Sequence, residues 1–418
     1  MLDALPPDAR AAAAAAAMVA LPGVLVVRAP WRALPLVSLA FWVISWTWLF
    51  DASRSRVLHV FLMAFAALAV LRVVRPGPLP GRGWAQATIV VAAIVLAAAV
   101  ARRAVPSGTD APIDALASEL LAWHDGWPVS FEPLSPRRPF EASGLAAISA
   151  DVILLSGAPA HRALLAMTVV AHVALLLGLW SLASLRMPPA RAAAVAVAAL
   201  LPVAAVAEGP GVLAAAFAVE AVALWHDRCG HASAFTAGAC LAAGLATDAA
   251  TVLGALLLAL LLMRIRSAPE AAVPSTSRVP GRLRTVVWTA VVLALPLAWR
   301  APPLRAPDAA PLAAARALVW PEAAGVVTRD ERAAMAWIRE HTGSLDVVCA
   351  PDVPAAQWIP ALAARATTVP LRPGWPRPEG ACAVHLALSG LLPLGARDGE
   401  APSFRAGSAA VWTNSENR

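Results

Sequence analysis

The sequence predicts a mainly α-helical protein: a polytopic transmembrane bundle of about ten spans with juxtamembrane helices, followed by a small extracytoplasmic α/β tail. Three observations carry this. Charged residues make up only 14% of the chain, where a soluble domain carries about 25%. The 60% that is hydrophobic is gathered into blocks. From about residue 301 onwards proline and charge rise and the apolar runs shorten. Residues 1–300 are therefore expected to form the bundle, with an outward loop at 102–157 and a cytoplasmic linker at 265–284, and residues 301–418 to form the tail.

The apolar blocks run over 11–27, 34–50, 57–73, 85–101, 160–185, 189–206, 210–226, 231–247, 249–264 and 285–300. Several fall short of the ~20 residues that cross a bilayer upright, a difference that tilt absorbs. The first has acids ahead of it (Asp3, Asp8) and runs on towards Arg28 without a cleavage site, so it reads as a membrane helix and not as a signal peptide. The segment 142–156 is apolar but short and carries Asp151, which suits an interfacial or re-entrant helix.

Arginines orient the bundle. With the loop 102–157 outward, the inward connections 28–33, 73–84, 186–191, 227–230 and 265–284 hold most of them, as the positive-inside rule requires. Arg54, Arg56, Arg102 and Arg103 fall on the outward side and run against the rule. This places the protein in the cytoplasmic (inner) membrane, multi-pass. The chain has no lysine, and its isoelectric point is near 10.8. No basic run or stripe exists, which argues against nucleic acid as a partner. In the tail, Thr328 with Glu331 marks a helix start, and 345–350 and 381–386 read as short buried strands. Cys349 and Cys382 lie in those strand-like runs and are free to pair if the tail is extracytoplasmic.

The outward loop carries the acids that invite chemistry. Asp110 opens a helix over 111–123, expected at the interface, and Asp114 and Glu119 follow. An acid at a helix N-terminus caps it and gains about 0.3–1 kcal/mol from the dipole, which is the bland account. The functional account is a general base for an acceptor hydroxyl, or a carboxylate that anchors a divalent metal, the one cofactor this chemistry leaves open. Arg137 and Arg138 are candidate phosphate ligands by their donor forks, or headgroup contacts by default. Trp123 and Trp127 read as an interfacial aromatic belt. His226, Cys229 and His231 have no usual zinc spacing and read as a tight inward turn. Asp151, Glu220, Asp248 and His172 lie in or beside apolar helices, where ionisable groups are costly.

The run GTDAPIDALASELLAWHDGWP, then FEASGLAAISADVILLSGAP, then LLPVAAVAEGPGVL resembles the GT-C class of membrane glycosyltransferases, in its glycosyltransferase family 39-like branch. The tail run VTRDERAAMAWIREHTGSLDVV with QWIPALAAR resembles the segment that follows the bundle in that group. The likeness covers roughly residues 100–375 and rests on the order and spacing of weak motifs. It implies transfer of a sugar from a polyprenyl-phosphate donor to an extracytoplasmic acceptor, with Asp110 as catalytic acid, Asp114 beside it, and Glu208 before the Gly209-Pro210-Gly211 turn as a second polar group. Trp358, Pro360 and Arg365 match the tail motif. The implied partners are the lipid-linked donor and membrane lipids; no protein partner is implied. The chain departs from the group where Asp114 replaces a histidine, where Phe140-Glu141 replaces a Tyr-Pro start, and where Thr247-Asp248 replaces Thr-His. A catalytically silent envelope scaffold is the alternative. A transporter is a third, although no inverted repeat is visible.

Overall fold

The computed structural model describes residues 5–22, 33–49, 51–73, 84–101, 105–106, 110–132, 134, 140–206, 209–226, 231–265, 286, 289–290, 327–371, 382–388, 390–393 and 401–413. Among the described residues ten α-helices precede the tail: α1 (Pro7–Ala20), α2 (Leu34–Trp48), α3 (Arg54–Val73), α4 (Trp84–Ala101), α5 (Ala111–Trp123), α6 (Gly144–Ser156), α7 (Ala160–Ser184), α8 (Pro189–Val206), α9 (Pro210–His226) and α10 (His231–Ile265). Local chemistry sets their ends. Proline opens α1 and α9 and stands at the second position of α2, in a first turn where its missing N–H costs nothing. α1 stops at Ala20, where Leu21 turns extended ahead of Pro22. The block at 11–27 is thus a shorter helix than its apolar run suggests.

The apolar helix α7 is the axis. It packs against α1, α4, α5, α6, α8 and α9. α9 is buried at nearly every position from Pro210 to Leu224, the signature of a helix enclosed on all sides. Gly178 lets it come close: a Cβ there would stand 3.4 Å from the Ala216 carbonyl oxygen. His172, buried in α7, has its Nδ1 2.7 Å from the Thr168 carbonyl, so that ring atom is satisfied one turn back.

Two described helices, 160–184 and 234–256, are long and apolar enough to cross a membrane. The second is broken at Asp248, whose backbone is extended (φ −161°, ψ 99°), leaving α7 as the unbroken one. Shorter apolar helices lie at 34–48, 144–156 and 210–226, among others. A bundle of ten spans is thus not established by helix length, and the segment 285–300 falls almost wholly outside the described residues.

The tail contains α11 (Arg329–His341), β1 (Val347–Cys349), a 3₁₀ turn (Pro354–Trp358), α12 (Ile359–Ala363), β2 (Ala366–Thr367), β3 (Val384–Ala387), β4 (Phe404–Ala406) and β5 (Ala409–Thr413). The strands form one mixed sheet in the order β2-β1-β3-β5-β4, with β1 parallel to β2 and β3, and β5 antiparallel to β3 and β4. The expected capping box starts α11: Glu331 N–H donates to Thr328 Oγ1 at 3.2 Å, and Thr328 N–H donates to Glu331 Oε2 at 2.8 Å. A Cys349–Cys382 disulfide, with Cα atoms 5.6 Å apart, ties the end of β1 to the approach to β3. Arg365 gives the QWIPALAAR run a structural purpose. Its guanidinium donates to Thr342 Oγ1 and to the carbonyls of Ala364, Arg339 and Thr342, closing the C-terminal end of α11. Trp358, from the same run, is fully buried in the core.

Candidate functional site

Asp110 occupies the N-cap position of α5, yet its side chain makes no capping hydrogen bond, because its backbone is already helical (φ −94°, ψ −10°). Asp114 lies one turn on, with its N–H donating to the Asp110 carbonyl at 2.9 Å. This i, i+4 spacing sets the two residues on one side of the first turn. Asp114 is buried, and Ser143 Oγ donates to its Oδ1 at 2.9 Å. The same hydroxyl accepts from Ala146 N–H at 3.1 Å and so caps α6.

Ser143 leads to the next part of the site. A Cβ on Gly144 would overlap Thr247 Oγ1, so α6 and α10 touch at this point through a residue that has no side chain. At the adjacent Asp248, Oδ1 accepts from Ala250 N–H at 3.1 Å and Thr251 N–H at 3.2 Å, and Oδ2 accepts from Thr251 Oγ1 at 2.7 Å. Asp248 thereby caps the second half of α10. A Cβ on Gly211 would stand 3.7 Å from Asp248 Oδ2, and one on Gly209 would stand 3.9 Å from Asp114 Oδ2. Gly209 has φ +67°, a turn conformation that suits glycine. The contacts close a circuit of four elements: the start of α5, the start of α6, the break in α10 and the turn before α9.

Of the residues expected at the site, Asp114 stands on this circuit, and Asp110 is joined to it by the backbone bond from Asp114 N–H. Arg137, Arg138 and Glu208 lie outside the described residues, as does most of the His226–His231 turn. Ser143, Thr247 and Thr251 join the site although no local pattern marks them, apart from the Thr247-Asp248 pair. Among the described residues no group of three or more His, Cys, Asp or Glu side chains could hold a metal ion. The arrangement offers two carboxylates one helical turn apart, one of them buried and fixed by a hydroxyl.

The surroundings also differ from expectation. Every residue of α5 from Ala111 to Leu121 is buried, covered by α6, α7 and α12. Trp123 is exposed, and Trp127 is half-buried, packing edge-on against Trp46 of α2 (6.3 Å) and Phe140 (5.4 Å). Glu119 is buried and accepts from Arg339 of α11 at 2.7 Å, which fastens the tail to α5. Burial raises the Glu119 pKa, and the Arg339 charge and hydrogen bond oppose that rise. A comparison with family models, curated proteins and solved structures finds no match for this chain.

Proposed function

We propose that this protein is a multi-pass cytoplasmic-membrane glycosyltransferase of GT-C type, moving a sugar from a polyprenyl-phosphate donor to an acceptor outside the membrane. One observation carries the proposal. The three segments that resemble the group in sequence, around Asp114, Ser143 and Gly209, are separated along the chain and come together through the Ser143–Asp114 hydrogen bond and the approach of Gly209 to Asp114 Oδ2. Asp110 acts as base towards the acceptor hydroxyl. Asp114, held by Ser143, orients the first turn of α5 beside the base. A divalent metal, if the reaction uses one, would bind at these carboxylates.

Membrane residence is supported by α7 and by the outer faces of α3 and α4, where Met63 and Ile94 are 74% and 62% exposed. Such apolar patches suit lipid and not water. An extracytoplasmic tail is supported by the disulfide, since such bonds persist in oxidising compartments.

The silent-scaffold alternative has an observation of its own: both Asp248 oxygens are taken up in capping α10, at a position where the group carries histidine. Membranes containing the protein, supplied with polyprenyl-phosphate sugars, decide between the two. Asp110→Asn is expected to abolish transfer at unchanged expression. Full transfer by that variant refutes the role of Asp110. A wild-type protein that neither transfers sugar nor binds donor lipid, yet copurifies with a partner, supports the scaffold. Solute flux in proteoliposomes would instead favour a transporter.

A further inference from the structure

The helix that carries the two carboxylates at its start leans on the tail further along. α5 is buried from Ala111 to Leu121, and its walls are α6, α7 and, from the tail, α12. A helix of 13 residues is marginal by itself, so its place depends on what covers it. On the α6 side, Ser118 Oγ lies 2.6 Å from the Asp114 carbonyl and 3.0 Å from the Ala146 carbonyl, within donating reach of both. On the tail side, Arg339 of α11 donates to Glu119 Oε1 at 2.7 Å. Glu119 follows Asp114 on the same helix, about 7.5 Å further along the axis.

The ion pair discriminates between docking positions. The Glu119 side chain is 7% exposed and that of Arg339 41%. Among the described residues Glu119 Oε2 has no hydrogen-bond partner, so Arg339 supplies the neutralising contact. A tail shifted from this position would leave a buried carboxylate unpaired, which costs far more than losing a surface pair. The donor is itself braced. Arg365 Nη2 donates to the Arg339 carbonyl at 3.0 Å and to the Thr342 carbonyl at 2.6 Å, and Arg365 stands just past α12. One guanidinium thus holds together the two tail elements that meet α5.

We propose that the tail completes the carboxylate site: α12 closes over α5, and the Arg339–Glu119 pair selects the docked position in which Asp110 and Asp114 are held. This rests on the reading of those carboxylates as the functional site and adds its control by the tail. The test is hydrogen–deuterium exchange by mass spectrometry on the full-length protein in detergent, which needs no sugar transfer. Arg339→Glu sets two carboxylates against each other. Amides of 111–121 and of the start of α6 are expected to exchange about tenfold faster, and those of α9 to stay as they are. Arg339→Gln, a milder change at an exposed position, is expected to give a smaller rise in the same peptides. Arg339→Glu/Glu119→Gln removes the repulsion and is expected to restore most of the protection. Arg405→Glu, an equal charge change at an exposed position on β4, is expected to leave α5 unmoved. Circular dichroism and gel filtration report whether the variants fold. Unchanged exchange of α5 in a folded Arg339→Glu, a rise spread equally over α9, or a double variant as open as the single one overturns the proposal. Should Arg339→Glu not fold, unchanged exchange in Arg339→Gln overturns it equally. Failure of the site reading looks different: Asp110→Asn then keeps full transfer, while exchange of α5 still follows the charge pair.

Discussion

Arg54 and Asp151 form a buried ion pair, with Nε donating to Oδ1 and Nη2 to Oδ2, both at 2.8 Å, and side chains 1% and 0% exposed. Ser45 Oγ accepts a further bond from Nη2 at 2.9 Å, and Trp46 Nε1 donates to Asp151 Oδ1 at 3.0 Å. The guanidinium also lies 4.4 Å from the centre of the Trp46 ring. One pair thus joins α2, α3 and α6.

Breaking one side of this pair leaves a buried charge alone. Arg54→Met is expected to cost about 3–5 kcal/mol, and Arg54→Met/Asp151→Leu to recover most of it. Chemical denaturation in detergent measures both. A double variant no more stable than the single one would show that the pair is held by something other than mutual neutralisation.

Gly144 sets the closeness of α6 and α10 at the carboxylate site. Gly144→Ala is expected to destabilise by about 1–3 kcal/mol, because its Cβ has no room beside Thr247 Oγ1. Adding Thr247→Ala frees that space and should restore the melting midpoint. Unchanged stability in Gly144→Ala alone would mean the helices can part without cost.

Asp125 gives the acid response. Burial alone would raise its pKa, but hydrogen bonds from Ser53 and Ser55 and the charge of Arg56 outweigh it and bring the value below the ordinary 3.8. A lowered folded-state pKa supplies stability that is present above the unfolded value and lost as pH falls through the folded one. Asp125→Asn tolerates the same backbone (φ +50°). It is expected to cost about 1 kcal/mol at neutral pH through weaker capping of α3. Melting midpoints of variant and wild type should converge below pH 3.8. A gap that persists in acid would place the effect outside the carboxylate charge.

The disulfide reports both stability and compartment. Removing it with Cys349→Ser/Cys382→Ser is expected to cost the tail about 3–4 kcal/mol. In intact cells the two thiols should resist alkylation until a reductant is added. Ready alkylation without reductant would place the tail on the cytoplasmic side.

Much of the fold is legible in the chain. The block at 34–50 becomes α2, 210–226 becomes α9, and the boundary between 231–247 and 249–264 becomes the break at Asp248. Asp110 and Asp114 were likewise visible, because acids at the start of a helix stand out locally. Arg54 was not. As a sequence it was an outward charge that contradicted the positive-inside pattern; in the fold its charge is cancelled by Asp151, 97 positions away. Nor was the packing of Trp127 legible, since its neighbours Trp46 and Phe140 come from different segments.

By itself, then, the sequence determined where helices start and stop, that the tail is an α/β unit capped at Thr328, and where acids collect. Those properties arise from residues a few positions apart. The tertiary structure alone decided which charges are neutralised: Arg54 by Asp151, and Glu119 by an arginine 220 positions on. Desolvation and pairing depend on groups that meet only when the chain has packed, and no local pattern records them.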